Sequence, residues 1–325
     1  MESNHQLWPL ALEVLRALGQ HYYPVMEGRA REAGMGECDW YLLLPALTFD
    51  PETISAAKLL VRVPFYAPHI YENRLKKLTE FGYLKASAPA PDGGAYPRFE
   101  YNLTESGRMT IQWIIQAADV AMQAMHPLSL EDLEYLAGLL GRVVAAAEAT
   151  PEPPGRWALK LSRRTDHASV APVVVRIDQY LTDLNAYRDD CILEAWRKHP
   201  ATRDPSPPAW EIFTQLWKAS QVKPEPGYTL DVLAQIFERR GHARRVYSEA
   251  LRSLSRLGWV HADKTNYRLT EPGFQARQDA EVRIDQLFYI PWKTLEPAEL
   301  ADLKELLVMM WDSLRLRLTS NKVAG

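Results

Sequence analysis

Apolar residues recur every three or four positions over most of the chain, the spacing of one buried face on an α-helix. In TLDVLAQIFERRG they are Leu230, Leu233, Ile236 and Phe237, and Gly241 ends the run. HARRVYSEALRSLSRLG follows, with Val246, Tyr247, Ala250, Leu251 and Leu254 on one face and Gly258 after its last turn. The period then changes. WVHADKTNYRLT alternates about a polar tip, as a two-stranded hairpin does. Thr270 and Glu271 open a further helix, with a hydroxyl cap and an acid at the positive end of the dipole. The same succession is written earlier as PETISAAKLLVRV, YAPHIYENRLKKLTEFG, YLKASAPAPDGGAYPRFEYNLT and TESGRMTIQWIIQAADVAMQAM.

These are two copies of one unit. Tyr71, Leu75, Leu78 and Gly82 match Tyr247, Leu251, Leu254 and Gly258 at an offset of 176. Tyr101, Leu103, Thr104, Glu105 and Gly107 match Tyr267, Leu269, Thr270, Glu271 and Gly273 at an offset of 166. The difference falls in the Pro- and Gly-rich hairpin tip of the first copy, where length changes cost least. Leu128, Leu133, Leu136 and Leu140 match Leu295, Leu300, Leu303 and Leu307 at 167. Helix, turn, helix, hairpin, helix describes a winged helix-turn-helix. The expected fold is mainly α with small β-hairpin wings: two such domains joined by a helical spine. Residues 1–150 would hold the N-terminal helices and first winged domain, 151–208 the connector, and 209–325 the second domain with its terminal helix. The helices at 111–125 and 298–316 are apolar over so much surface that they are expected to pack the copies together as a one-chain pseudo-dimer. The two reading helices would then lie roughly 34 Å apart, one DNA turn; a true homodimer is the alternative. TPEPPGRW at 150–157 and KHPATRDPSPPAW at 198–210 read as linkers or helix caps. Between them Ile177, Leu181, Leu184, Tyr187, Ile192 and Trp196 form a stripe for one long helix, or two with a kink near Asn185.

The pattern Leu-x-x-x-Gly-Tyr-Leu at 78–84, Tyr-x-Leu-Thr-Glu-x-Gly-Arg at 101–108 and LSLEDLEYLAGLLGRV after a long helix resembles the multiple-antibiotic-resistance regulator (MarR) family. The resemblance covers 39–147 well and 209–316 less closely. It implies winged-helix protomers that dimerise through terminal helices and bind palindromic DNA, with small apolar or phenolic effectors held beneath the reading lobe. Members are usually single-copy chains about half as long; here two copies are fused, with extra helices at 5–35 and 157–199.

Charge locates the expected DNA contact. The chain carries a net -3, yet Arg239, Arg240, Arg244, Arg245, Arg252 and Arg256 face only Glu249 over 239–256, a local +5. That run falls on the helix-turn-helix corner and second helix, the element that enters a major groove. His242, Arg244, Arg245 and Ser248 are expected at base edges, Arg252 and Arg256 at the backbone, with Lys264 and Arg268 on the wing. The first copy offers Tyr66, His69, Asn73, Arg74 and Lys77, plus Lys85 and Arg98 on its wing, with net +1 from 66 to 81. Whether it binds DNA is left open.

Tyr22, Tyr23, Trp40 and Trp113 are candidate walls of an effector pocket, against the plainer reading of an aromatic core. Tyr187, Arg188, Asp189 and Asp190, with His167 and His199 at the ends of the segment, are expected to be a salt-bridged helix surface. Adjacent aspartates on a regular helix point to different faces and cannot chelate one ion. Cys38 and Cys191 are too far apart in sequence, and too few, for a disulfide framework or a zinc site. No phosphate loop, zinc motif or nucleophile elbow is written here, so neither metal nor cofactor is expected. A base-excising enzyme using Asp189 or Asp190, and a protein-interaction module that has lost DNA, are the competing function classes. The absence of a long apolar run and of a signal-peptide pattern leads to the expectation of a cytoplasmic protein.

Overall fold

The computed structural model describes residues 7–36, 39–87, 99–155, 157–162, 171–198, 206–222 and 227–323. Cys38, Arg98, His167 and His199 lie outside these residues. In chain order come α1 (Leu7–Glu32), α2 (Leu43–Phe49), α3 (Ala56–Arg62), α4 (Pro68–Glu80), β1 (Leu84–Ala86), β2 (Tyr101–Leu103), α5 (Glu105–Gln123) and α6 (Leu130–Ala149). The connector supplies α7 (Trp157–Ser162) and α8 (Val173–Arg197). The second repeat runs α9 (Pro207–Ser220), β3 (Tyr228–Thr229), α10 (Leu230–Ile236), α11 (Arg244–Arg256), β4 (Val260–Asp263), β5 (Asn266–Leu269), α12 (Glu271–Phe288) and α13 (Pro297–Val323). The described chain is mainly helical with two small antiparallel sheets. The connector stripe forms one continuous helix, α8, and of the two readings of the second Pro-rich stretch, linker or helix cap, its described end fits the cap: Pro207 and Pro208 occupy the first turn of α9, which needs no N–H donors.

The repeated Tyr-x-Leu-Thr-Glu-x-Gly has one local explanation in both copies. The Thr104 hydroxyl accepts from Gly107 N at 3.0 Å, capping α5, and donates to the Gly82 carbonyl at 2.7 Å. Thr270 accepts from Gly273 N at 3.1 Å and donates to the Gly258 carbonyl at 2.6 Å. Gly82 and Gly258 follow α4 and α11 with φ of 77° and 72°, a left-handed turn that glycine adopts without steric cost. Tyr101 bridges to Ile54 and Tyr267 pairs with Tyr228, so each hairpin gains a third strand segment that periodicity did not foretell.

The chain divides into two compact units that do not follow the repeat boundaries. The first holds residues 1–54, 75–190 and 288–325. Its core forms where α1 packs along both α5 and α13, and α13 along α6. Leu7, Ala11, Val14, Leu18, Tyr22 and Met26 make the buried stripe of α1. The wide apolar faces of 111–125 and 298–316 therefore both find α1, whose own stripe supplies the surface they need. The cluster expected to be a salt-bridged surface of α8 is instead turned partly into this core, with Tyr187 and Asp190 buried. Asp190 accepts from Ala158 N and Leu159 N at 2.9 and 3.0 Å, capping α7. Asp183 accepts from the Ser162 hydroxyl at 2.7 Å, Tyr187 donates to the Glu152 carbonyl at 2.9 Å, and Arg188 lies 5.0 Å over the Phe288 ring.

The second unit holds residues 55–74 and 191–287. Trp210, Phe213, Leu216, Leu233, Tyr247 and Leu254 lead its core. Arg277, only 3% exposed, lies between the Trp210 and Trp217 rings at 5.1 and 4.9 Å and pairs with Glu281 at 2.5 Å. The cation thereby fastens α12 to α9.

Candidate nucleic-acid interface

Thr229 caps α10 by accepting from Val232 N at 3.2 Å. A tight turn over Glu238–Arg240 ends at Gly241, whose φ is 75°. The Tyr247 hydroxyl reaches back from α11 to the Phe237 carbonyl at 3.0 Å and sets the angle of the corner. Burial pushes this phenol up to about 12. Tyr247, Ala250, Leu251 and Leu254 bury one face of α11. The opposite face and the corner expose Arg239, Arg244, Arg245, Arg252 and Arg256, while Ser248 is half-buried between them. Lys264 and Arg268 are exposed on the β4–β5 hairpin, Lys264 at the tip with φ 56°.

The arginines are not equivalent. Arg244 Nε donates to Asp231 Oδ1 at 2.6 Å, across from α11 to α10. Arg245 Nε lies 3.5 Å from Glu249 on its own helix and is 85% exposed. Arg240 is half-buried: it pairs with Glu211 of α9 at 2.6 Å and lies 4.4 Å over the Tyr66 ring. Burial pushes the Glu211 carboxyl up, with Arg240 pulling part of the way back.

Arg240 belongs to a seam between the two repeats. Ala67 N donates to the Arg240 carbonyl at 2.8 Å, and His242 Nε2 donates to the Phe65 carbonyl at 2.9 Å. A Cβ on Gly241 would stand 2.5 Å from Ile70 Cδ1. Burial holds the His242 imidazole below the usual histidine range; the Phe65 bond works the other way, and nearby His69 and Arg240 add to the depression. The seam joins the residue before α4 to the turn before α11. The segment that leads into α4 is therefore in contact with the turn that leads into α11. Arg240 and His242, expected at DNA, are turned to protein here, as is Tyr66.

In the rest of the first copy, Lys77 also points to protein, donating at 2.5 Å to Asp39, a carboxylate 5% exposed. His69, Asn73 and Lys85 are exposed and Arg74 is half-buried. Of the aromatics singled out for an effector, Tyr22 is 1% exposed and bonds Asp178 at 3.3 Å, and Trp40 donates to Glu27 at 3.0 Å. Tyr23 and Trp113 are 45% and 38% exposed, with Arg29 lying 4.8 Å over the Trp113 ring. None of the four lines the cavity of about 470 Å³ in the first unit, whose walls include Met125, His126, Leu128, Leu133, Glu134 and Val174. Sequence reasoning missed the carboxylates Asp231, Glu211 and Asp39. Only Glu211 carries a local signal, as the one acid among the aromatics of α9.

Among the described residues no group of three or more His, Cys, Asp or Glu could hold a metal, and no helix is long and apolar enough to cross a membrane. Residues 218–316 match the model of a helix-turn-helix family. The span runs from the end of α9 into α13 and contains α10, the corner, α11, the hairpin and α12. It supports a helix-turn-helix domain of the DNA-binding kind in this half of the chain. A search of curated proteins found no match.

Proposed function

We propose that this protein is a sequence-specific double-stranded DNA-binding regulator that reads with its second repeat. The observation that carries the reading is the division of α11 into a buried apolar face and an exposed arginine face, inside the span that matches a helix-turn-helix family. α11 enters the major groove with Arg244 and Arg245 leading, and the hairpin brings Lys264 and Arg268 to phosphate or the minor groove. The first repeat, though built on the same local plan and resembling a MarR-like winged helix, acts as a bracket for the second: Phe65, Tyr66, Ala67 and Ile70 are spent on His242, Arg240 and Gly241. A single reader per chain makes a homodimer the route to a palindromic site. The mostly apolar cavity beside Met125 and Leu133 is the place for a small apolar effector.

The test is a gel-shift series on genomic-fragment duplexes over a range of salt. Binding should weaken steeply with salt, and Arg244→Ala/Arg245→Ala should abolish it at physiological ionic strength. Each phosphate contact removed lowers the salt slope by about 1. Duplex binding that survives the double substitution unchanged would reject α11 as the reading element, and no binding at any salt would reject the reading in favour of a protein-interaction module.

A further inference from the structure

We infer that Asp231 is a positioning residue that sets Arg244 to read a guanine; the inference rests on the DNA-binding reading above. Arg244 is the first residue of α11, the end of a reading helix closest to base edges. Its guanidinium is held from the side. Asp231 Oδ1, presented by the first turn of α10, accepts from Nε at 2.6 Å. That bond lowers the Asp231 carboxyl below its ordinary range, so the pair is ionised at neutral pH. A guanidinium held at Nε keeps its two terminal nitrogens for a second planar partner. Their parallel N–H bonds match the O6 and N7 acceptors of guanine, the commonest specific arginine contact. Both side chains are largely exposed, 61% for Arg244 and 75% for Asp231, so the forward edge is open to a groove.

Neighbouring Arg245 shows the contrast. It is tied only loosely, at 3.5 Å and along its own helix. A long cation with that freedom suits phosphate, where position along the backbone matters little. Asp231 brings no affinity of its own, since a carboxylate near a phosphate backbone repels it. Its presence beside the leading arginine is accounted for by geometry: it fixes the rotamer before binding and lowers the ordering cost of the contact.

The experiment selects sites from a randomised duplex pool with the wild-type protein, then measures wild type, Asp231→Ala and Arg244→Lys on the selected site and on the same site with each invariant guanine replaced. Wild type should prefer one guanine by about tenfold or more. Asp231→Ala should lose most of that preference while binding the replaced site as well as wild type does, or better. Arg244→Lys should behave likewise, because an ammonium offers no parallel pair. A helix-capping role alone for Asp231 would move the melting temperature and leave the ratio intact. Equal gains on both sites in Asp231→Ala, with the guanine preference preserved, would overturn the inference and reduce Asp231 to a repelling charge. Failure of wild type to enrich any duplex is a separate result: it would sink the DNA-binding reading itself, and this inference with it.

Discussion

Gly107 and Gly273 sit where each hairpin turns into a helix, and a Cβ at either would stand 2.1 Å from a carbonyl oxygen, that of Tyr83 or Trp259. The obstacle is backbone, which cannot swing aside as a side chain can. Gly273→Ala should therefore destabilise the second unit by about 1–3 kcal/mol, the usual cost of overpacking, read as a shift of the denaturant midpoint. Thr270→Ala should cost about 1 kcal/mol in the same measurement, because it removes a helix cap. These positions were legible in the sequence because what they do is local: the cap, the left-handed glycine and the close approach lie within a few residues or across one hairpin. The partners of the charged residues were not legible. Nothing near Lys77 announces Asp39, and nothing near Arg240 announces Glu211 or Tyr66, since those pairings exist only once distant segments are packed.

Helices with a clear apolar stripe were recovered in kind and place, whereas the elements without a period of their own were missed. β3 has two residues, too few to alternate. α9 hid behind its prolines. Its importance shows in Arg277, whose guanidinium is clasped by two α9 tryptophans and Glu281 of its own helix. Removing one partner of a buried charge pair typically costs about 3–5 kcal/mol. Arg277→Ala should fall in that range by chemical denaturation, with Arg277→Lys intermediate, because lysine keeps the charge and loses the flat stacking surface. A loss below about 1 kcal/mol would mean that α9 and α12 are held by apolar contact alone.

At the level of the molecule, the motif Tyr-x-Leu-Thr-Glu-x-Gly is written twice, yet the segments before its two occurrences are not divided alike between the compact units. The seam through Ala67, Arg240, Gly241 and His242 gives residues 55–74 to the second compact unit and leaves the remainder of the first repeat with α1 and α13. That division was invisible to periodicity, which reports a helix's buried face and not its neighbour. The depressed His242 imidazole leads to the prediction that the seam weakens in acid. A histidine whose folded pKa is depressed contributes stability that is fully present above its unfolded value, about 6.5, and is lost as the pH falls through the folded one. Urea unfolding of the second unit, followed by its tryptophan fluorescence, should move to lower midpoint as the pH drops from about 7.5 to 5. His242→Gln, which keeps a donor for the Phe65 carbonyl but cannot take up a proton, should flatten that dependence. A wild-type profile as flat as the variant's would show the imidazole to be a bystander.

One consequence of this seam concerns how such a chain could evolve. After a duplication, either daughter sequence is normally at liberty to drift, be trimmed or be borrowed by another gene. Here the loop before α4 serves as the floor on which the Arg240–Gly241 corner rests, so losing the half that carries that loop would remove the footing of the arginine-bearing one. The two halves are obliged to be inherited together.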